Sequence, residues 1–191
     1  MTELYGDKSE IIVGDGAGIA GSASKLLKPG LDVDTWYLTE WAGVDPETGK
    51  AQWYKTDANG ERVKTFSYGD ASKNQIAIDR YTPDFFGGFS TNLSWKNLDM
   101  SAVFGYSVGG KIYNYARAEY DSDGTYTDRN QMKLQDGWSR WEKPGDIATH
   151  PQGIYNNGTN SNKASSRFLE DGSYLKLRNL TIGYNLALPE W

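Results

Sequence analysis

Residues 98–108 alternate with a period of two. Leu98, Met100, Ala102, Phe104, Tyr106 and Val108 share one side of an extended chain. Asp99, Ser101, Gly105 and Ser107 oppose them, with Val103 the exception. Just upstream, residues 85–95 put Phe89, Thr91, Leu93 and Trp95 on one face and Gly88, Ser90, Asn92 and Ser94 on the other. A short turn around Lys96-Asn97 joins the two. A third run, 174–186, carries Leu180, Ile182, Tyr184 and Leu186 against Asn179, Thr181, Gly183 and Asn185. Period-two alternation is the mark of a strand. Each run is about ten residues, the length that crosses a bilayer as a tilted barrel strand.

An apolar face backed by a polar one fits a strand between lipid and a wet barrel lumen. The lipid-facing set is then Phe89, Leu93, Trp95, Met100, Phe104, Tyr106, Leu180, Ile182 and Tyr184. Trp95 stands at the short-turn end and Tyr106 at the other, where two aromatic girdles belong. The third run breaks phase in its first half. Lys176 and Arg178 align with Leu180, whereas Leu175 and Leu177 fall among the polar positions. A strand extending above the membrane, or a β-bulge, accounts for such a shift.

Between the second and third runs lies a long polar connection rich in Gly, Asn, Asp and Pro. Short turns on one side of a barrel and long loops on the other fit this order. The strands then run inward (85–95), outward (98–108) and inward (174–186). Upstream, residues 36–66 read as an aromatic hairpin. Trp36–Trp41 and Ala51–Lys55 are β-rich, and Asp45–Lys50 and Asp57–Glu61 have turn composition. Glu10–Val13 suits a short strand, and Ser22–Lys28 one or two helical turns stopped by Pro29-Gly30. The expected divisions are a Gly-rich extracellular loop segment (1–35), an aromatic extracellular hairpin region (36–80), and barrel strands with a long extracellular loop at 109–171 (81–191).

Composition sharpens this picture. Charged residues make up 24% of the 191, and mean hydropathy is −0.67, so no apolar run reaches helical transmembrane length. Thirteen Tyr, seven Trp and 22 Gly favour strands and turns. No cysteine is present, which excludes disulfides and thiolate metal sites. A net charge of −5 argues against nucleic acid as a partner. The amino terminus lacks the apolar core of a signal peptide. A cytoplasmic protein and a fragment of a longer chain both fit that start, and the end just after a strand fits the fragment.

Four motifs invite a chemical reading. Gly16-Ala17-Gly18-Ile19-Ala20-Gly21 matches a dinucleotide fingerprint, but no second βαβ unit follows, so a Gly-rich loop is expected and no cofactor. Asp121-Ser122-Asp123-Gly124-Thr125-Tyr126-Thr127-Asp128 alternates oxygens like a calcium loop. Met132 stands where an EF-hand places its bidentate Glu, so a solvated turn is favoured and no metal is assigned. His150, the only histidine, is expected in solvent. Pairs such as Glu119/Asp121 and Glu170/Asp171 suit a glycosidase only if opposed across a cleft. No catalytic residue is assigned. Trp36, Trp41, Trp53, Trp138, Trp141 and Tyr155 lie outside the spanning runs. As a group they are the candidates for substrate or partner contact, with packing among themselves as the plainer reading.

Several segments together resemble a known family. These are Trp41-Ala42-Gly43-Val44-Asp45-Pro46-Glu47-Thr48-Gly49, Tyr81-Thr82-Pro83-Asp84-Phe85-Phe86-Gly87-Gly88-Phe89, Gly109-Gly110-Lys111-Ile112-Tyr113-Asn114, and Ser165 through Tyr184. In order and spacing they are similar to the SusC/RagA-type TonB-dependent outer-membrane transporters of Bacteroidetes, over roughly residues 36–188. The resemblance implies an all-β fold: an antiparallel transmembrane β-barrel segment, part of a barrel of about 22 strands with a plug inside. It implies a SusD-like surface lipoprotein as lid, the TonB complex acting through parts of the parent outside this chain, and uptake of an oligosaccharide or peptide. It places the parent in the cell outer membrane and expects binding and gating rather than enzymatic turnover. This chain corresponds to part of the carboxyl-terminal portion of such a barrel. The rival reading is a soluble all-β carbohydrate-binding module, which requires Phe89, Leu93, Met100 and Phe104 to fill a sandwich core. A glycan-active hydrolase is a third.

Overall fold

The computed structural model describes residues 9–14, 23–156 and 158–186. The chain forms two compact units, Met1–Arg80 with Ile112–Glu170, and Tyr81–Lys111 with Asp171–Trp191.

In the first unit, β1 (Ile11–Val13), β2 (Ser24–Leu27) and β3 (Thr35–Leu38) pair antiparallel in sequence. Three strands then form a separate meander: β4 (Trp41–Val44), β5 (Ala51–Thr56) and β6 (Arg62–Thr65). The chain continues through α1 (Tyr68–Ala71), capped where Ser67 Oγ accepts from Asp70 N–H, to β7 (Ile76–Arg80), which returns beside β3. The expected hairpin over 36–66 is therefore divided. Its first strand belongs to the sheet of β2 and β7, and its remainder to the meander. The helical turns expected over Ser22–Lys28 are replaced by β2. Pairing with β1 and β3 overrides the weak local preference of that segment.

Two apolar clusters hold this unit. One joins Ala23, Trp36, Leu38 and Ala164, with Ile78, Tyr113 and Leu169 against them. The other joins Ala51, Trp53 and Ala71, flanked by Trp41 and Tyr68.

The second unit is a three-stranded antiparallel sheet. Its strands are β8 (Phe85–Trp95), β9 (Leu98–Val108) and β12 (Tyr174–Tyr184), in the order β12-β9-β8. The two-residue turn Lys96-Asn97 joins β8 to β9, with Lys96 at φ 54°, a region most residues avoid. Between β9 and β12 come β10 (Lys111–Tyr113), α2 (Tyr115–Tyr120), a 3-10 turn at Ser166–Phe168 and β11 (Leu169–Asp171), which pairs with β10. Asn114 caps α2, its side chain accepting from Arg117 N–H.

Pairing across β8 and β9 sets Phe89 opposite Phe104, Leu93 opposite Met100 and Trp95 opposite Leu98. Directly opposed residues share a face. On β12 the register shifts between Leu177 and Asn179. Leu177 faces Phe104 and Asn179 faces Val103, so Arg178 is the extra residue of a bulge. That one residue resolves the broken alternation. Leu175 and Leu177 share a face with Leu180, Ile182 and Tyr184, because their partners are Tyr106, Phe104, Ala102, Met100 and Leu98.

Candidate membrane face and buried ion network

Two arrangements bear on function. One is the apolar face of the three-stranded sheet. The other is a cluster of buried charges in the first unit.

The sheet face is lined by fifteen apolar or aromatic side chains that the register aligns, from Phe85, Phe89, Leu93 and Trp95 on β8 to Leu175, Leu177, Leu180, Ile182 and Tyr184 on β12. Phe89 and Phe104 stack with centroids 4.8 Å apart. Among the described residues the face stays open: Leu93 is 59% exposed and Ile182 64%. A core position in a sandwich is closed to water, so the reading that buried Phe89, Leu93, Met100 and Phe104 does not hold. Trp95 and Tyr184 mark one end of this face. Phe85 and Tyr106 mark the other, in edge contact at 6.2 Å. Eleven residues per strand give about 33 Å of strand, or about 25 Å of height at a barrel tilt, the height of an apolar membrane band. The opposite face carries Ser90, Asn92, Ser94, Asp99, Ser101, Thr181 and Lys176, with Phe86, Val103 and Tyr174 as its larger apolar members.

The buried cluster centres on Asp121 and Asp123, both fully buried. Asp123 takes Arg167 Nη1 at 2.6 Å and Arg140 Nη1 at 2.7 Å. Asp121 Oδ2 takes His150 Nε2 at 2.8 Å, and Arg167 Nη2 and Arg117 Nε at 3.3 Å. Arg117 also reaches Glu170 at 3.4 Å. Burial alone would raise the Asp121 carboxyl. The His150 hydrogen bond and the Arg167 and Arg117 charges outweigh it and hold the group below the usual carboxylate range. Burial pushes the Tyr68 and Tyr113 phenols up.

These guanidinium groups also stack. Arg167 lies 5.1 Å from the Trp41 ring and 5.3 Å from Phe168. Arg117 lies 5.5 Å from Phe168 and 4.4 Å from Trp138. Trp138 in turn meets the His150 ring at 4.8 Å. At the other end Trp41 packs edge-on to Trp53 at 5.6 Å, and Trp53 to Tyr68 at 5.5 Å. A column of alternating rings and cations therefore runs from Tyr68 to His150. Each cation–π contact stabilises by about 0.5–2 kcal/mol.

The column revises several expectations. His150, expected in solvent, is 1% exposed and hydrogen-bonded to Asp121 and Thr149. The calcium-like run does not present its first two carboxylates to an ion, because arginines already neutralise them. Among the described residues no group of His, Asp and Glu is spaced to hold a metal. Of the six proposed contact aromatics, Trp36, Trp53 and Trp141 are buried, so their rings are not open to a ligand. Trp36 packs on Tyr113, and Trp141 donates to Pro46 O at 2.7 Å. Trp41 and Trp138 are half-buried in the column, and Tyr155 is 82% exposed. The fingerprint Gly16–Gly21 lies outside the described residues. Arg117, Arg140 and Arg167 had no signal in the sequence beyond the four-residue spacing of Arg117 and Asp121.

No protein-family model matches the chain. Among curated proteins it is 28% identical to TonB-dependent receptor P3 of Formosa agariphila over 178 residues, covering 85% of this chain and 16% of that protein. It is 32% identical to TonB-dependent receptor P26 of the same organism over 148 residues, covering 76% and 14%. The chain thus spans about a sixth or less of the relatives it matches. In fold it resembles part of the RagAB peptide transporter, with a TM-score of 0.54 and 23% identity over 95% of this chain and 21% of that one. The uncovered sheet face, its aromatic ends and these relatives agree: the chain belongs to the TonB-dependent receptors, as a segment with the antiparallel barrel-wall fold of the SusC/RagA type.

Proposed function

We propose that this chain supplies barrel wall and extracellular loops to an outer-membrane TonB-dependent nutrient transporter. The second unit is the wall. Phe89, Leu93, Trp95, Met100, Phe104, Tyr106, Leu180, Ile182 and Tyr184 face lipid, and Leu175 and Leu177 join them across the bulge. The first unit is the external region, where the ion network stiffens a long connection between strands. Transport takes an oligosaccharide or a peptide, with a SusD-like lipoprotein as lid and energy delivered by the TonB complex through other parts of the parent. The role is binding and gating, with no bond made or broken.

The observation that carries this reading is the apolar sheet face left without a protein cover. An exposed face this large and continuous marks an interaction surface, and its girdled ends fit a bilayer. The test is depth-dependent quenching in nanodiscs of brominated lipid. Probes at Leu93, Phe104 and Ile182 are expected to be quenched, and probes at Ser90, Ser101 and Thr181 spared. Equal quenching on both faces would refute the assignment.

A further inference from the structure

At its turn end the apolar sheet face finishes in a row of three side chains: Trp95 on β8, Leu98 on β9 and Tyr184 on β12. Trp95 and Tyr184 are 65% and 63% exposed, and Leu98 between them 40%. Further in, Met100 lies between Leu93 and Ile182, and Ala102, only 5% exposed, between Thr91 and Leu180. The middle strand thus floors a shallow trough walled by β8 and β12. From Leu98 to Ala102 it runs about 14 Å, and the backbones of its walls lie about 10 Å apart. That spacing suits one hydrocarbon chain lying along β9.

Lys96 stands at the mouth of this trough, in the two-residue turn, at φ 54°. Among the described residues the other non-glycine positions with positive φ are Asp123, Asn156 and Asn160, types that tolerate the region. A lysine there is strained, and a strained position points to a use for its side chain. Its ammonium lies 4.9 Å from the Trp95 ring centroid, so it leans to the apolar side of the sheet. It has no ion pair among the described residues. The acid at this end, Asp99, sits on the polar face and takes Asn185 Nδ2 at 3.0 Å. Asn185 N–H donates to Asn97 O at 2.8 Å and ties the turn to the end of β12. The Trp95 indole N–H and the Tyr184 hydroxyl have no hydrogen-bond partner among the described residues. A positioned cation and two donors therefore crown an apolar trough.

We propose that this corner of the sheet is a binding site for an anionic phospholipid. Its phosphate pairs with the Lys96 ammonium and accepts from the Trp95 indole. Tyr184, across the trough, donates to an ester carbonyl, and one acyl chain lies over Leu98 and Met100. Charge selects the headgroup. A zwitterionic lipid would bring its own ammonium beside Lys96, with Asp99 turned to the other face. The site rests on the reading of this face as lipid-facing, and it adds a preference among lipids that a plain apolar face lacks.

The experiment places the full chain in nanodiscs of phosphatidylcholine in which a small fixed fraction of the lipid has brominated chains. That fraction is either phosphatidylglycerol or phosphatidylcholine. The Trp95 signal is the difference in fluorescence between the parent and Trp95→Phe. Brominated phosphatidylglycerol is expected to be about fivefold enriched at Trp95 over brominated phosphatidylcholine, the pull of one lysine on an anionic lipid. Lys96→Asn removes the charge and suits the left-handed turn, so it should abolish the preference with the fold intact. Lys96→Arg should keep it, and Lys176→Gln, on the polar face, should leave it unchanged. Soluble glycerol phosphate should not displace the lipid. Equal quenching by the two lipids, a preference that survives Lys96→Asn, or displacement by glycerol phosphate overturns the proposal. Strong but equal quenching refutes this site alone, whereas no quenching by either lipid refutes the membrane face as well.

Discussion

Arg178 lies directly over Gly105. A methyl group built on Gly105 would stand 2.5 Å from Arg178 Nε, so the glycine leaves the space the guanidinium occupies. The contact fixes where the extra residue of the β12 bulge goes: onto the polar face, beside Lys176, which is opposite Gly105. Both cations that disturbed the alternation thereby leave the apolar face.

The first prediction concerns the bulge. Arg178 is the extra residue, so deleting it leaves Leu177 and Leu180 two positions apart and turns β12 into a regular strand with its faces unchanged. Leu175 and Leu177 then stay on the apolar face and Lys176 on the polar one. In nanodiscs, a probe at Leu175 should be lipid-quenched in the parent, in Arg178→Ala and in the deletion. Loss of quenching in the deletion alone would show that Arg178 is not the extra residue of the bulge.

Two glycines of the same face should respond differently to a methyl group. At Gly88 the nearest atom to a new Cβ is the backbone oxygen of Phe104 at 2.8 Å, which moves only with the strand. At Gly105 the neighbour is the flexible Arg178 side chain. Gly88→Ala should cost about 1–3 kcal/mol as overpacking, and Gly105→Ala less. Denaturant titration in micelles compares them, and an inverted order would contradict the packing described.

The sheet was legible because each strand has one face that protein does not cover, so its pattern is undisturbed by partner-specific packing. Met100, Phe104 and Ile182 could be placed on a face by counting in twos. The bulge was legible only as a break in phase, since a single residue leaves no composition of its own. The first unit was far less readable. Its order depends on pairs distant in sequence, such as Arg167 with Asp123 and Trp41 with Trp53. An aspartate that meets an arginine 44 residues away looks the same as one that meets water or calcium. His150 in a polar run looked solvated for the same reason.

The buried ion pairs and the surface ones should differ sharply. Arg167→Leu leaves Asp121 and Asp123 short of a cation in a dry site, at a cost of about 3–5 kcal/mol. Lys28→Ala breaks a pair with Glu10 in which both side chains are about half exposed, at a cost of about 0–1 kcal/mol. Chemical unfolding monitored by tryptophan fluorescence measures both. Similar losses would mean that the network is not the pillar of the first unit.

Acid should act through Asp121. Its folded pKa lies below the unfolded carboxylate value of about 3.9, so the carboxylate contributes stability above that pH. The contribution falls as pH drops through the folded pKa and the group takes up a proton. Melting temperature should therefore decline below about pH 4. Asp121→Asn should be less stable at pH 7 and show a flatter acid limb. An unchanged acid limb in Asp121→Asn would assign the acid sensitivity elsewhere.

Trp53 and Tyr155 separate structural aromatics from those free to meet a ligand. Trp53 is fully buried, edge-on to both Trp41 and Tyr68, at one end of the ring–cation column. Replacing it with alanine opens a cavity and removes two ring contacts, for a loss of about 3–5 kcal/mol. Tyr155, at 82% exposure, has little to lose, and its alanine variant should stay within about 0.5 kcal/mol of the parent. If Tyr155 serves a substrate or a lid protein, Tyr155→Ala should weaken that binding while the melting curve stays in place. Trp53→Ala should lower the melting curve first, and any loss of binding should follow unfolding. A Trp53→Ala variant that melts like the parent would show that the column does not hold the first unit together.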